Sequence, residues 1–218
     1  MRALTVIKKI VGPLEANSYL LISGREALVI DPGWTEAYHL GLQAVRERVE
    51  VKLAVATHGH FDHVMGYWAL AEALGYEPPL AVSRADWHLI EAAGELARLF
   101  GLEPPERWRP PRRVSWLGEG DVLEVGGVEV RVIETPGHTP GSITLLAPGY
   151  AFTGDTLFKG SIGRTDLPGG SWAAMMRSLR RLARLEGSTI VMPGHGPETT
   201  IAEEVRGNPF VKIAVQGG

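Results

Sequence analysis

Thr57-His58-Gly59-His60-Phe61-Asp62-His63 contains three imidazoles and one carboxylate within six consecutive positions. The apolar run Leu53-Ala54-Val55-Ala56 precedes it and reads as a buried strand; Val64 to Leu74 reads as the helix that follows. The stretch therefore belongs on a strand-to-helix loop at the carboxyl end of a strand, where α/β proteins build their sites. Imidazole and carboxylate together suit zinc, iron or manganese. Neighbours this close cannot all serve one ion comfortably, so the spacing points to two.

Composition narrows the ligand chemistry. With no cysteine in 218 residues, disulfides and thiolate ligands are excluded, and a metal must be held by His, Asp or Glu. Hydrophobic content of 44% and charged content of 22% are ordinary for a globular chain and argue against disorder. A net charge of −3 leaves no electrostatic footprint for nucleic acid or an anionic membrane, so neither is expected as a partner. No apolar run approaches the roughly 18 residues of a membrane span. Met1-Arg2-Ala3-Leu4-Thr5-Val6 lacks the apolar stretch of a signal peptide, so a cytoplasmic protein is expected. No linker is long enough to split the chain, and one domain over residues 1–218 is expected.

Outward from the cluster, Val6-Ile10, Ser18-Ile22 and Ala27-Ile30 read as strands, the last running into Asp31-Pro32-Gly33. Thr35 to Val49 and Ala85 to Phe100 carry apolar residues at helical spacing, and the Pro- and Arg-rich Glu103 to Arg113 reads as an exposed loop. Val114-Leu117, Val122-Val125, Val128-Glu134, Ser142-Leu146 and Tyr150-Thr153 are strand-like, with a hairpin turn at Gly126-Gly127. Trp172 to Leu185 predicts a helix capped by Ser171, Thr189-Met192 a short strand, and Glu198-Val205 a closing helix. Strands then helices, twice over, fit two sheets packed face to face with helices outside. Three of the later strands end in a Gly/Pro turn bearing a ligand-type residue: His138 in Thr135–Gly141, Asp155 in Thr153–Thr156, and His195 in Pro193–Pro197. Five of the seven histidines lie in these loops or in the first cluster. His39 and His88 fall inside helical patterns and read as surface or packing residues.

The His-x-His-x-Asp-His stretch, followed in order by Gly-His138, Gly-Asp155 and Gly-His195, resembles the metallo-β-lactamase superfamily over nearly the whole chain. The resemblance implies an α/β (α+β) fold, the αββα sandwich of two mixed sheets flanked by helices. It also implies a ligand set: His58, His60 and His138 on a first metal, Asp62, His63 and His195 on a second, and Asp155 bridging both. Two divalent ions are implied, zinc first, with iron or manganese also compatible with these ligands. Such a pair can share a water, lower its pKa and so produce a bridging hydroxide, with Asp62 and Asp155 as the catalytic carboxylates beside it. Asp31 has two readings: an acceptor that fixes the tautomer of a ligand histidine, or a turn cap.

Gly154-Asp155-Thr156-Leu157-Phe158 and the later Gly163-Arg164-Thr165-Asp166 are similar to the glyoxalase II group within that superfamily. This implies hydrolysis of a small-molecule thioester, S-D-lactoylglutathione or a related acyl thioester. Arg164 sits where the group contacts glutathione; its alternative is a loop salt bridge with Asp166. The chain departs from the group in having only Gly196 to Gly218 after the last ligand, with no separate carboxyl-terminal helical domain expected. The rival is a mononuclear iron persulfide dioxygenase, which shares the Gly-Arg-Thr-Asp loop. Behind it stand a lactonase, a nuclease and a non-catalytic metal-binding module.

Overall fold

A computed structural model describes residues 4–106 and 108–217. Alternation decides its layers. Strands β1 (Leu4–Val11), β2 (Ala16–Ser23), β3 (Glu26–Ile30), β4 (Glu50–Val55), β5 (Leu80–Ser83) and β6 (Val114–Leu117) lie side by side in that order in a first sheet. β1 to β3 pair antiparallel and β3 to β6 parallel. Successive side chains on a strand face opposite ways, so Leu20, Val29 and Ala54 meet helices while Tyr19, Leu21, Leu28, Ile30 and Val55 face inward.

The second sheet is formed by β7 (Val122–Val125), β8 (Val128–Glu134), β9 (Ile143–Ala147), β10 (Tyr150–Gly154), β13 (Ile190–Pro193) and β14 (Thr199–Thr200), in the order β14-β13-β10-β9-β8-β7. β10 and β13 run parallel, the other neighbours antiparallel. The two sheets enclose a core in which the Tyr19 ring meets Phe152 edge to face, 5.3 Å between centroids. Helices α1 (Ala37–Glu47), α2 (Tyr67–Leu74), α3 (Trp87–Glu91) and α4 (Ala93–Leu99) cover the first sheet. Helices α5 (Trp172–Leu182), α6 (Ile201–Gly207) and α7 (Pro209–Gln216) cover the second. This is the expected αββα sandwich. Ser171 caps α5 as anticipated, accepting the Ala174 N–H.

Several elements differ from the sequence reading. The helix expected over Ala85 to Phe100 is a 3-10 turn, Arg84–Asp86, followed by α3 and α4, which part at Ala92 beside Gly94, where helix propensity is poor. The helix after the first cluster begins only at Tyr67, because Phe61–His63 forms a 3-10 turn that holds the ligand loop. The closing helix is two: Asn208 leaves helical geometry and caps α7, accepting the Phe210 N–H, with Pro209 at the first turn. β5 has no counterpart in the sequence reading, since four residues are too few to show alternation. The hairpin of β11 (Leu157–Phe158) and β12 (Ser161–Ile162) was equally illegible.

Strand direction places the site. β3, β4 and β5 are mutually parallel, so Asp31, the His58 loop and Asp86 emerge at one edge. β8 and β10 each run antiparallel to β9, and β13 runs parallel to β10, so His138, Asp155 and His195 also emerge together.

Candidate metal centre

All seven expected side chains converge. His58, His60 and His138 form one group, Asp62, His63 and His195 another, and His58, His63 and Asp155 a third; within each group the ligand atoms lie within 4.8 Å of one another. His58 and His63 are fully buried, while His195 is 26% exposed and is the open side of the centre. Asp155 lies between the groups. Its Oδ1 is 3.5 Å from His63 Nε2, and its Oδ2 is 3.5 Å from His138 Nε2 and 3.7 Å from His195 Nε2.

Hydrogen bonds set the tautomers. His63 Nδ1–H donates to Asp31 Oδ2 at 3.0 Å, because a carboxylate can only accept. His138 Nδ1–H donates to the Arg164 carbonyl at 2.8 Å. The Thr57 hydroxyl is spent on Asp31 Oδ2 at 2.8 Å, so His58 Nδ1–H donates to Thr57 Oγ1 at 3.2 Å. Each of these imidazoles therefore presents Nε2 to the centre. His60 presents Nδ1 instead, 2.9 Å from His138 Nε2.

The donor set has unmet needs that a metal would fill. Among the described residues, His58 Nε2 and Asp155 Oδ1 are buried with no hydrogen-bond partner. Buried polar atoms without partners are costly. His63 Nε2 and His195 Nε2 face each other at 3.3 Å. Separations of 3.3 to 3.7 Å among the ligand atoms of Asp62, His63, His195 and Asp155 match the edge, about 3.4 Å, of a tetrahedron with bonds of about 2.1 Å. The cluster therefore fits divalent cations.

Electrostatics agree. Burial, then the repulsion of neighbouring imidazoles, holds His58 well below the ordinary imidazole range, and burial with His138 brings His60 down to about 4. Both are neutral donors at pH 7. Burial also opposes a charge on His63, but Asp62, Asp155 and Asp31 outweigh it and push it up to about 10. Asp62 is held below the usual carboxylate range: burial works against this, but His63 and His195 prevail. Protons on this side thus occupy positions that a cation would take.

Asp31 hydrogen-bonds both His63 and the backbone that precedes the cluster. It follows β3 at φ 51°, a left-handed conformation that Asp tolerates better than most residues. Its Oδ1 accepts the Thr57 N–H at 2.7 Å, so it ties β3 to the cluster as well as orienting His63. Arg164 forms the salt bridge that was its alternative: Nε and Nη2 donate to Asp166 at 2.9 and 2.7 Å, with both side chains exposed. His39 and His88 are exposed on α1 and α3, away from the centre. No helix among the described residues is long and apolar enough to cross a membrane.

Two residues escaped the sequence reading. Buried Asn17 donates through Nδ2 to the carbonyls of Pro193 and Gly196 at 2.9 and 2.8 Å, and its N–H to the Gly194 carbonyl at 2.7 Å, so β2 grips the His195 loop. Gly194 is needed there because a Cβ would lie 2.1 Å from Asp155 Oδ1. Asp86 is the other and is taken up below. For Asn17, the available signal was its place in Asn17-Ser18-Tyr19-Leu20, where the resemblance to the superfamily begins; for Asp86 there was none.

Residues 11–195 match the Metallo-beta-lactamase superfamily. The chain belongs to that superfamily. It is 38% identical to the hydroxyacylglutathione hydrolase GloC of Haemophilus influenzae, over 86% of this chain and 88% of the relative. It is also similar to the crystal structure of TTHA1623 in a di-iron-bound form, at 39% identity and TM-score 0.81 over 94% of this chain and 99% of that one. The BLEG-1 B3 metallo-beta-lactamase is similar at 32% identity and TM-score 0.83, over 95% and 99%. Superfamily membership and the His/Asp cluster together make this a metal-dependent enzyme of the metallo-hydrolase type.

Proposed function

We propose that this enzyme hydrolyses a thioester, S-D-lactoylglutathione or a related acyl thioester. The observation that carries the reading is the 38% identity to a hydroxyacylglutathione hydrolase across 86% of the chain. The geometry supports it. A cavity of about 250 Å³ opens onto His60, Asp62, His138, Asp155 and His195. Its walls are mostly apolar, from Phe61, Leu89, Leu96, Phe100 and Leu167, with Arg164 among the lining residues. A small acyl group fits such a volume.

His58, His60 and His138 would hold one divalent ion, Asp62, His63 and His195 the other, and Asp155 both. Zinc, iron and manganese all suit these donors, and the ions would supply Lewis acidity toward the carbonyl and an acidic water. Asp62 borders the cavity at 13% side-chain exposure and would orient the attacking water by accepting a hydrogen bond from it. The apolar walls exclude bulk water from the acyl carbon. A thiolate leaves without a strong general acid, since thiol pKa values lie near about 8.5. Arg164 would meet a substrate carboxylate by exchanging it for Asp166.

The test pairs elemental analysis of the purified protein with release of free thiol from S-D-lactoylglutathione and from a panel of acyl thioesters. Two metals per chain and metal-dependent thiol release are expected. A fully loaded enzyme that releases no more thiol than its Asp155→Ala variant would sink the reading. One iron, with oxygen uptake on glutathione persulfide, would instead select the dioxygenase.

A further inference from the structure

We infer that Asp86 is a positioning residue that locks the loop of His58 and His60 to the loop of His138. The inference rests on metal binding at the centre and is independent of which substrate the enzyme takes. Asp86 ends the 3-10 turn after β5 and is fully buried. Its Oδ2 accepts the N–H of Gly59, the residue between His58 and His60, at 2.9 Å. The same oxygen accepts the hydroxyl of Thr139, the residue after His138, at 2.6 Å. Its Oδ1 accepts the Gly141 N–H at 2.7 Å. Thr139 and Ser142, themselves buried, join their hydroxyls at 2.7 Å and stiffen the second loop.

The two sheets contribute one loop each, β4 the first and β8 the second, so this carboxylate joins the sandwich halves beside the three-histidine group. The glycines show how tightly. A Cβ on Gly59 would lie 2.6 Å from the Asp86 carbonyl oxygen, and a Cβ on Gly141 would lie 2.6 Å from Asp86 Cγ and Oδ1. Neither glycine has a positive φ. Their small size, rather than backbone freedom, is what the site requires: they let a third loop approach within hydrogen-bonding distance. Asp86 does not line the cavity, and its hydrogen bonds run to Gly59, Thr139 and Gly141 rather than to the ligand side chains. It acts through His58, His60 and His138 by holding their separation constant, which is what a rigid coordination shell needs.

The full chain, loaded with Co²⁺, is titrated with a competing chelator while the visible absorption of the bound ion is followed. The wild type is expected to hold two equivalents. In Asp86→Asn the amide NH₂ must face at least one of three donors, and in Asp86→Ala all three lose their acceptor. One equivalent should then be lost at roughly 10–100-fold lower chelator, with an altered Co²⁺ spectrum. Thr139→Val removes a single donor at nearly constant shape and should weaken the same equivalent several-fold, so the inference stands or falls even if the Asp86 variants do not fold. Tyr67→Phe, which deletes a buried hydrogen bond to the Pro78 carbonyl at the end of β5 opposite Asp86, should lower the melting temperature with a wild-type Co²⁺ spectrum and affinity. Unchanged Co²⁺ affinity in folded Asp86→Asn or in Thr139→Val overturns the inference, as does an equal loss in Tyr67→Phe. A wild-type chain that takes up no Co²⁺ overturns it together with the metal reading.

Discussion

Replacing Asp31 with Asn tests whether a single hydrogen bond sets the chemistry of His63. The Asp31 carboxylate accepts three bonds: from Thr57 N–H at 2.7 Å, from the Thr57 hydroxyl at 2.8 Å, and from His63 Nδ1–H at 3.0 Å. Asn tolerates the left-handed φ of 51° and has nearly the same shape, so the backbone should not move. Its Oδ1 can still accept the Thr57 N–H. The NH₂ group then faces Thr57 Oγ1 and His63 Nδ1. The threonine hydroxyl can turn and accept. His63 can accept only by moving its proton to Nε2, the atom that faces Asp155 and His195. That tautomer cannot ligate through Nε2. Loss of such an outer partner costs 10–100-fold in metal affinity, or about 1.4–2.8 kcal/mol. Zinc titration in competition with a chelator, with parallel nitrogen NMR of the imidazoles, should show one weakened equivalent and a His63 Nδ1 that has lost its proton in Asp31→Asn. Two equivalents at wild-type affinity, with the proton still on Nδ1, would refute the tautomer argument.

Asp155→Ala removes the carboxylate shared by both histidine groups, and the metal content measured by mass spectrometry should fall at both positions; unchanged stoichiometry would show that it bridges nothing. Arg164→Ala leaves the backbone carbonyl that holds His138 in place, so KM for an anionic thioester should rise more than kcat falls. Asp166→Asn frees the guanidinium and should lower that KM; steady-state kinetics decide both. His63 is pushed up to about 10 and carries a proton at pH 7.5, which a metal must displace. Calorimetry in buffers of different ionisation enthalpy should therefore show proton release on zinc binding, and affinity should keep rising from pH 7 to 9 instead of levelling off above the ordinary imidazole pKa of about 6.5.

The sandwich, and the seven side chains that converge at its edge, were legible in the chain because both rest on local signals. Near-continuous burial in β2, β3 and β10 marks strands covered on both faces, the alternation in β8 marks one covered on a single face, and His138 and Asp155 sit directly after β8 and β10 in Gly-containing turns. His58 to His63 is one contiguous run whose spacing already shows that its members share a site. Order along the chain then brings in His138, Asp155 and His195, because strands of like direction end on one edge.

What needed the tertiary structure is everything that passes between loops. β5 is too short to announce itself, yet it delivers Asp86, an acid 53 residues from its Thr139 partner and without a motif of its own. Asn17 reaches a loop 176 residues away. The partners of Asp31 and of Arg164 became visible only as distances. Sequence determines which chemistry the chain can assemble, since residue type and strand register are local properties. Which proton sits on which nitrogen, and which glycine is there for space, depends on contacts between segments that only packing brings together.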